Sequence, residues 1–458
     1  MNLKVGLIFT HRSSEEPTWP TIGYDYEGRA KSILSYLRER IKDIEFLPFH
    51  AESKQQAEEI LKETKEEVVG YVVYILGIWT LAPQTIARSG KPTVVIDDLF
   101  AGSGEFLATM TEAHREKLPV IGVASSNKSD VVETISLFKP IHMLRRSKII
   151  SIKEFETSTH YESSLGPEMN KLDFRNIQYT VKYEDMLQKV FGIKLEKISV
   201  NVLNKLVDEI PDEEAEKVAR TWISSAVKIV EPSQDEILKS AKMYVAMRKI
   251  LRQRNAQAIT IDCLELFYGG KLRAYPCLGF SQLLNDGLVG TCEADLDSAV
   301  SQLIAIYLTG RPGFISDPVI DQSRETITYA HCVAPTKVYG PSGPEVPYII
   351  RSHAEDQRGA ALQVLYPVGE HITTFKVNVL ERALAIHSGI IVANSDEPKA
   401  CRTKVVAKAN TDAILENWNK ETNFHWHRVS VVGDYREKLI KFAKLLGLRI
   451  IEEDKPSR

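Results

Sequence analysis

Over the first third of the chain, short apolar runs alternate with stretches whose apolar positions recur at helical spacing. Residues 3–10, 44–49, 68–76, 92–97 and 119–124 read as buried strands, and residues 28–42, 53–65, 105–116 and 129–138 as the helices between them. Such alternation predicts a parallel sheet covered on both faces. Ligands of such sheets sit beyond the carboxyl ends of the strands. Those ends carry His11-Arg12-Ser13-Ser14, Gly77-Ile78-Trp79-Thr80 and Asp97-Asp98. None holds G-x-G-x-x-G or a Walker lysine, which argues against a nucleotide, and Gly102-Ser103-Gly104 reads as a helix-start turn.

From residue 150 to 237 the periodicity weakens and polar, helix-forming stretches dominate, notably 212–225 and 234–253. Pro211-Asp212-Glu213-Glu214 puts proline and acids where a helix start favours them. Residues 258–262 read as a strand, and a second α/β unit is predicted. After Arg311, residues 326–332, 348–352, 363–365, 372–378, 389–393 and 404–409 alternate or run apolar with short connections, the pattern of antiparallel structure. A strand at 428–432, a helix at 434–446 and a strand at 448–452 finish the chain. The predicted fold class is α/β: two doubly wound Rossmann-like domains, 1–155 and 156–310, followed by a mainly antiparallel β C-terminal domain, 311–458.

Charge narrows the partners. Lys plus Arg (58) and Asp plus Glu (61) nearly cancel, so no global field draws the protein to nucleic acid or to an anionic membrane. Small molecules or proteins are the expected partners. Five cysteines, widely spread and without a C-x-x-C pair, read as reduced thiols rather than a disulfide framework or a structural zinc site. The start, MNLKVGLIFTHRSSEEP, lacks a secretory apolar core, and no run approaches the roughly 18 apolar residues of a spanning helix. A soluble, cytoplasmic protein is expected.

The chemistry concentrates in residues 290–332. Glu293, Asp295 and Asp297 cluster at the start of a predicted helix, Asp317 precedes Pro318, and His331-Cys332 follows a predicted strand. Taken singly, each has a plain explanation. An acid in a first turn complements the helix dipole, and Asp295 and Asp297 are expected to face water. Asp317 would be an exposed turn residue, and His331 a core histidine. His425 and His427 would share one face of a strand, with His425 packing on its aromatic neighbours. Two carboxylates with imidazole and water make an oxygen-rich site suited to Mn²⁺, with Mg²⁺ or Co²⁺ as alternatives. Cys292 and Cys332 do not suit a hard ion and are expected to pack.

The set Gly-x-Cys-Glu-x-Asp, a Ser-Asp-Pro whose aspartate lies 24 residues beyond Glu293, His331-Cys332 and a late histidine resembles the metal site of the L-fucose isomerase and L-arabinose isomerase superfamily. His427, followed by Gly433 and the predicted last helix and strand, is similar to that family's late metal-binding histidine. The segment from Tyr366 to Lys376 (YPVGEHITTFK) resembles a strand of its C-terminal domain. The resemblance implies that Glu293 and Asp317 are the metal-binding acid/base pair and His427 a ligand. His331 falls where the arabinose branch places an extra ligand, while Asp317 is aspartate as in the fucose branch. Implied too are an aldose–ketose isomerase acting on a sugar through an enediolate, and a homo-oligomer, hexamer or trimer, with sites near subunit interfaces; balanced charge and the lack of a phosphate-binding glycine loop favour a free, unphosphorylated sugar. His11, Arg12 and Trp79 are then candidates to reach a neighbour's sugar. The alternatives are a non-catalytic sugar-binding or regulatory protein of the same fold, or a related metal-dependent epimerase or aldolase.

Overall fold

In GYVVYI, all six residues are apolar or aromatic or, for Gly70, without a side chain, and all are buried. That is the mark of a strand covered on both faces. In this computed structural model, which describes residues 3–153 and 178–456, that run is β3 (Gly70–Ile75). It lies in a five-stranded parallel sheet with β1 (Lys4–Thr10), β2 (Glu45–Ala51), β4 (Thr93–Asp97) and β5 (Val120–Val123), in the order β2-β1-β3-β4-β5. Between the strands run α1 (Tyr26–Arg40), α2 (Lys54–Thr64), α3 (Ala82–Ala87) and α4 (Ser103–Arg115), with α5 (Lys128–Ser136) and α6 (Phe138–Arg145) after them. Side-chain caps start several: Asp25 accepts the Gly28 N–H, Ser53 that of Gln56 and Asn127 that of Ser129. Helix α3 has no such cap. The buried Glu105 carboxylate instead accepts the N–H groups of Thr80 (3.1 Å) and Leu81 (2.8 Å) just ahead of it. The chain divides into two compact units, residues 1–143 with 437–450, and 144–436 with 451–458.

The second unit begins with a parallel sheet of β6 (Lys148–Ile152), β7 (Lys194–Ile198), β9 (Ala258–Ile261) and β10 (Val289–Thr291), ordered β10-β9-β6-β7. The short β8 (Lys228–Ile229) is elsewhere. Helices α7 (Val181–Phe191), α8 (Val200–Asp208), α9 (Asp212–Ser225), α10 (Gln234–Arg254), α11 (Cys263–Tyr268), α12 (Cys277–Asn285) and α13 (Leu296–Thr309) accompany it. Ser233 and Glu236 form a reciprocal capping box on α10.

The rest of the unit is antiparallel. Strands β11 (Phe314–Asp321), β12 (Thr326–His331), β15 (His371–Asn378), β16 (Ala383–Asn394), β17 (Thr403–Lys408) and β18 (Arg428–Val432) run β15-β18-β11-β12-β17-β16, and β16 pairs back on β15 to close a six-stranded barrel. Closure removes the exposed strand edges of an open sheet. A small sheet of β13 (Tyr348–Arg351) and β14 (Ala361–Val364) takes β8 as its third strand. No helix among the described residues is long and apolar enough to cross a membrane.

Inside the barrel unit lies a fully buried ion group. Arg428 donates to Glu453 (2.6 Å), His387 Nδ1 lies 2.8 Å from the other Glu453 oxygen, and Tyr329 meets His387 Nε2 at 2.9 Å. Burial would raise the Glu453 carboxyl, but Arg428 and His387 outweigh it and hold it down at about 2. A depressed carboxyl stabilises the fold above its unfolded value, near 4.3, and the contribution fades as pH falls from there toward 2. On the order of 3 kcal/mol should therefore be lost across that window. Denaturant midpoints taken between pH 5 and pH 2 check this, and Glu453→Gln should flatten the acid limb.

Candidate active site

Strand β10 delivers the first acidic group to the carboxyl edge of its sheet. Gly290 permits this, because a Cβ there would lie 2.6 Å from the Phe280 ring and 2.7 Å from its Cα. Beyond β10 the chain makes a left-handed turn, with φ of 59° at Glu293 and 54° at Ala294. L-residues rarely hold that conformation without a local reason. Asp295 then caps α13, accepting from the Ser298 N–H (3.0 Å) and hydroxyl (2.6 Å). Glu293 thus stands two residues ahead of the cap rather than inside the first helical turn, as the sequence suggested.

The barrel supplies the remaining groups from three neighbouring strands. β11 pairs with β18 as far as Ser316 and with β12 from Asp317 onward, so the half-buried Asp317 sits where the pairing changes hands. His331 is the last residue of β12, opposite Thr403, and His427 immediately precedes β18. His427 Nε2 lies 3.3 Å from Asp317 Oδ1 and 3.8 Å from Glu293 Oε2, and His331 Nε2 is 4.0 Å from Glu293 Oε1. One carboxylate oxygen of Glu293 and one ring nitrogen from each histidine lie within 4.8 Å of one another. His425 does not join them as a strand neighbour. With φ at 59° and no strand before Arg428, the alternation expected of residues 423–427 is lost.

Asp295 and Asp297 do not face water; both are buried. Asp295 Oδ2 accepts from the Lys376 ammonium (2.5 Å) and from His427 Nδ1 (2.9 Å), and Oδ1 accepts from the Gln178 amide (3.2 Å). Burial would raise the Asp295 carboxyl, yet the Lys376 charge and the His427 hydrogen bond hold it well below the usual range. For His427 burial again opposes the charge, and the bonds to Asp295 and Asp317 prevail, lifting the imidazolium to about 10. Burial pushes His331 down to about 4, so at neutral pH it is uncharged. Asp297 accepts from Tyr183 (2.7 Å), and burial lifts its carboxyl to about 6.

Sequence reasoning set Asp295 among water-facing acids and gave Lys376 no place in the site. A signal existed: a lysine within the otherwise apolar and hydroxylic run ITTFKV is rarely buried without an anion.

The donor chemistry fits a divalent ion. Glu293, Asp317, His331 and His427 combine carboxylate and imidazole, a set that suits Mn²⁺ and its neighbours. His427 also gives its far nitrogen to a buried carboxylate, the arrangement that orients and strengthens metal-ligating histidines. An ion bound there would have to displace the proton His427 otherwise keeps up to about 10. Apparent Mn²⁺ affinity should therefore fall as pH drops, by about tenfold per pH unit between 9 and 6 if one proton leaves per ion. Calorimetry in buffers of different ionisation heat counts that proton, and a flat profile would contradict the assignment.

His11, Arg12 and Trp79 belong to the N-terminal unit. His11 stacks on Tyr26 at 4.2 Å and meets His50 at 2.9 Å, Arg12 pairs with Glu16, and Trp79 is exposed with φ at 64°. Cys292 and Cys332 are buried.

Residues 174–309 match the model of the L-arabinose isomerase central domain. The chain is 26% identical over 276 residues to a sulfoquinovose isomerase of Clostridium sp. (strain MSTE9), covering 57% of this chain and 59% of that protein. It is 22% identical over 281 residues to a sulfoquinovose isomerase of Priestia aryabhattai, covering 59% and 60%. The chain thus spans about three fifths of the length of these relatives. A solute-binding protein of an ABC transporter from Burkholderia multivorans aligns at a TM-score of 0.19 and 11% identity, over 67% of this chain and 93% of that one, too poorly to carry an argument. The domain-model match and the sulfoquinovose isomerase relatives support a relation to the arabinose and fucose isomerase-like superfamily without pointing to one member.

Proposed function

We propose that this chain is a metal-dependent aldose–ketose isomerase acting on a free, unphosphorylated sugar. The observation that carries the reading is the convergence of Glu293, Asp317, His331 and His427, with Asp295 anchoring His427 from behind. The relatives named for sulfoquinovose isomerisation support it and put a sulfonated hexose on the substrate panel.

A bound Mn²⁺, or Mg²⁺ or Co²⁺ in its place, would be held by Glu293, Asp317, His331 and His427 and would supply Lewis acidity toward adjacent sugar oxygens. Moving the hydrogen from C2 to C1 needs a base beside the carbon and a second group to shuttle the hydroxyl proton. Glu293 and Asp317, both half-buried beside His427, would take those roles. His331, neutral, and His427, locked by Asp295, fix the wall between them. Asp295 and Lys376 neutralise each other, so the pocket's negative charge rests on the two working carboxylates. In a homo-oligomer, His11, Arg12 and Trp79 would reach a neighbour's sugar.

The test is a panel of aldoses and sulfoquinovose with Mn²⁺-loaded protein in heavy water. Ketose carrying deuterium at C1, with deuterium also appearing at C2 of the remaining aldose, is expected. Bound metal and bound sugar without exchange would overturn the reading in favour of a non-catalytic sugar-binding protein.

A further inference from the structure

All five cysteines of the chain lie in the second unit, although their positions span 263 to 401. Cys263 opens α11, Cys277 opens α12, Cys292 follows β10, Cys332 follows β12 and Cys401 precedes β17. Cys263 and Cys292 bring their sulfurs to 3.1 Å, and Cys277 and Cys332 to 3.5 Å. Cys401 contacts Cys332. Buried thiols commonly pack as small apolar groups. This cluster adds a nitrogen ligand. Cys332 Sγ lies 3.6 Å from His331 Nδ1, and ligand atoms of Cys292, His331 and Cys332 all fall within 4.8 Å of one another. His331 therefore turns Nε2 toward the carboxylate site and Nδ1 toward the thiols.

We propose that Cys292, Cys332 and His331 Nδ1 form a second cation site, selective for a thiophilic divalent ion such as Zn²⁺ or Cd²⁺, which shares His331 with the carboxylate site and so opposes its use. Two sulfurs and one imidazole are three corners of a tetrahedral zinc-type set. Cys277 or Cys263, already touching Cys332 or Cys292, stands ready as the fourth. Zinc–sulfur bonds of about 2.3 Å place tetrahedral sulfurs about 3.8 Å apart, so small adjustments suffice. Each thiol gives its proton to solvent as it binds, and no electrons move. An ion on Nδ1 pins the ring and leaves its one proton on Nε2, which then has no lone pair to offer an ion on the other side. The site stands on the thiol and imidazole geometry alone, whatever reaction the carboxylates perform.

The probe is Cd²⁺ added to the metal-free full chain, read by the ultraviolet sulfur-to-cadmium charge-transfer band. A band saturating at one ion per chain is expected. Cys292→Ser and Cys332→Ala, each checked for folding by circular dichroism, should weaken Cd²⁺ binding about tenfold or more. Glu293→Gln should leave the band intact, and bound Cd²⁺ should lower Mn²⁺ affinity, read by the paramagnetic signal of free Mn²⁺, about fivefold or more. No band in the wild-type chain overturns the proposal without any variant. So does a band undiminished in both cysteine variants, or one lost in Glu293→Gln.

Discussion

Glu293→Gln is expected to stop exchange of the sugar's C2 proton with solvent and to cut turnover by about 10²–10⁴-fold, the range of a lost general acid or base. The substitution preserves shape and removes a charge that lies 3.8 Å from His427 and 4.0 Å from His331. Asp317→Asn, 3.3 Å from His427, should produce a loss of the same order. The two are not additive when the carboxylates act as a unit, so the double variant should fall little further. Proton NMR in heavy water follows C2 directly, and Mn²⁺ affinity measured in parallel separates lost metal from lost chemistry. A Glu293→Gln protein that holds its metal and turns over at nearly the wild-type rate would remove Glu293 from the reaction.

The second large effect is expected at a residue the substrate need not touch. Asp295→Ala strips the buried Lys376 of its closest anion and leaves His427 without its Nδ1 partner. An uncompensated buried charge typically destabilises by about 3–5 kcal/mol. Asp295→Asn keeps the volume and some hydrogen bonds and should cost less in stability. It should still weaken Mn²⁺ binding about 10- to 100-fold, as loss of a histidine's carboxylate support does. Denaturant unfolding and metal titration on both variants distinguish the two consequences. Unchanged metal affinity in Asp295→Asn would make Asp295 a fold-stabilising residue and no more.

Much of the N-terminal sheet was legible because its strands are short, buried and separated by capped amphipathic helices. Predicted residues 92–97 correspond to Thr93–Asp97, and 53–65 to Lys54–Thr64. The predicted strand 428–432 is β18 to the residue. Strand β7 escaped because KLEKI is largely unburied and reads as polar chain, and β11 because Pro318 interrupts FISDPVID. That proline falls past Ser316, the last residue β11 pairs with β18, so its missing N–H does not disturb that ladder. Helix α3, only six residues long and started by a distant carboxylate, carries too little periodicity to be seen.

For the candidate site, it was the resemblance to a known isomerase metal site that singled out Glu293, Asp317, His331 and His427, since each taken singly has a plain explanation. Their surroundings could not be read the same way. That Asp295 is buried depends on Lys376, 81 residues away, and on His427, 132 residues away. No local pattern announces a partner so distant. Nor does any spacing announce that Cys292 and Cys332, from separate segments, meet beside one imidazole with further thiols against them.

The path of the backbone between the two units also has a bearing on biogenesis. Residues 437–450 belong with the N-terminal unit, so 293 residues intervene between the bulk of that unit and the piece that completes it. At the usual about 5–20 residues per second of translation, the early sheet waits roughly 15–60 s on the ribosome before residues 437–450 emerge. A nascent chain of this design should leave the first unit incomplete until synthesis is nearly over. Chaperone dependence should accordingly concentrate in the first unit.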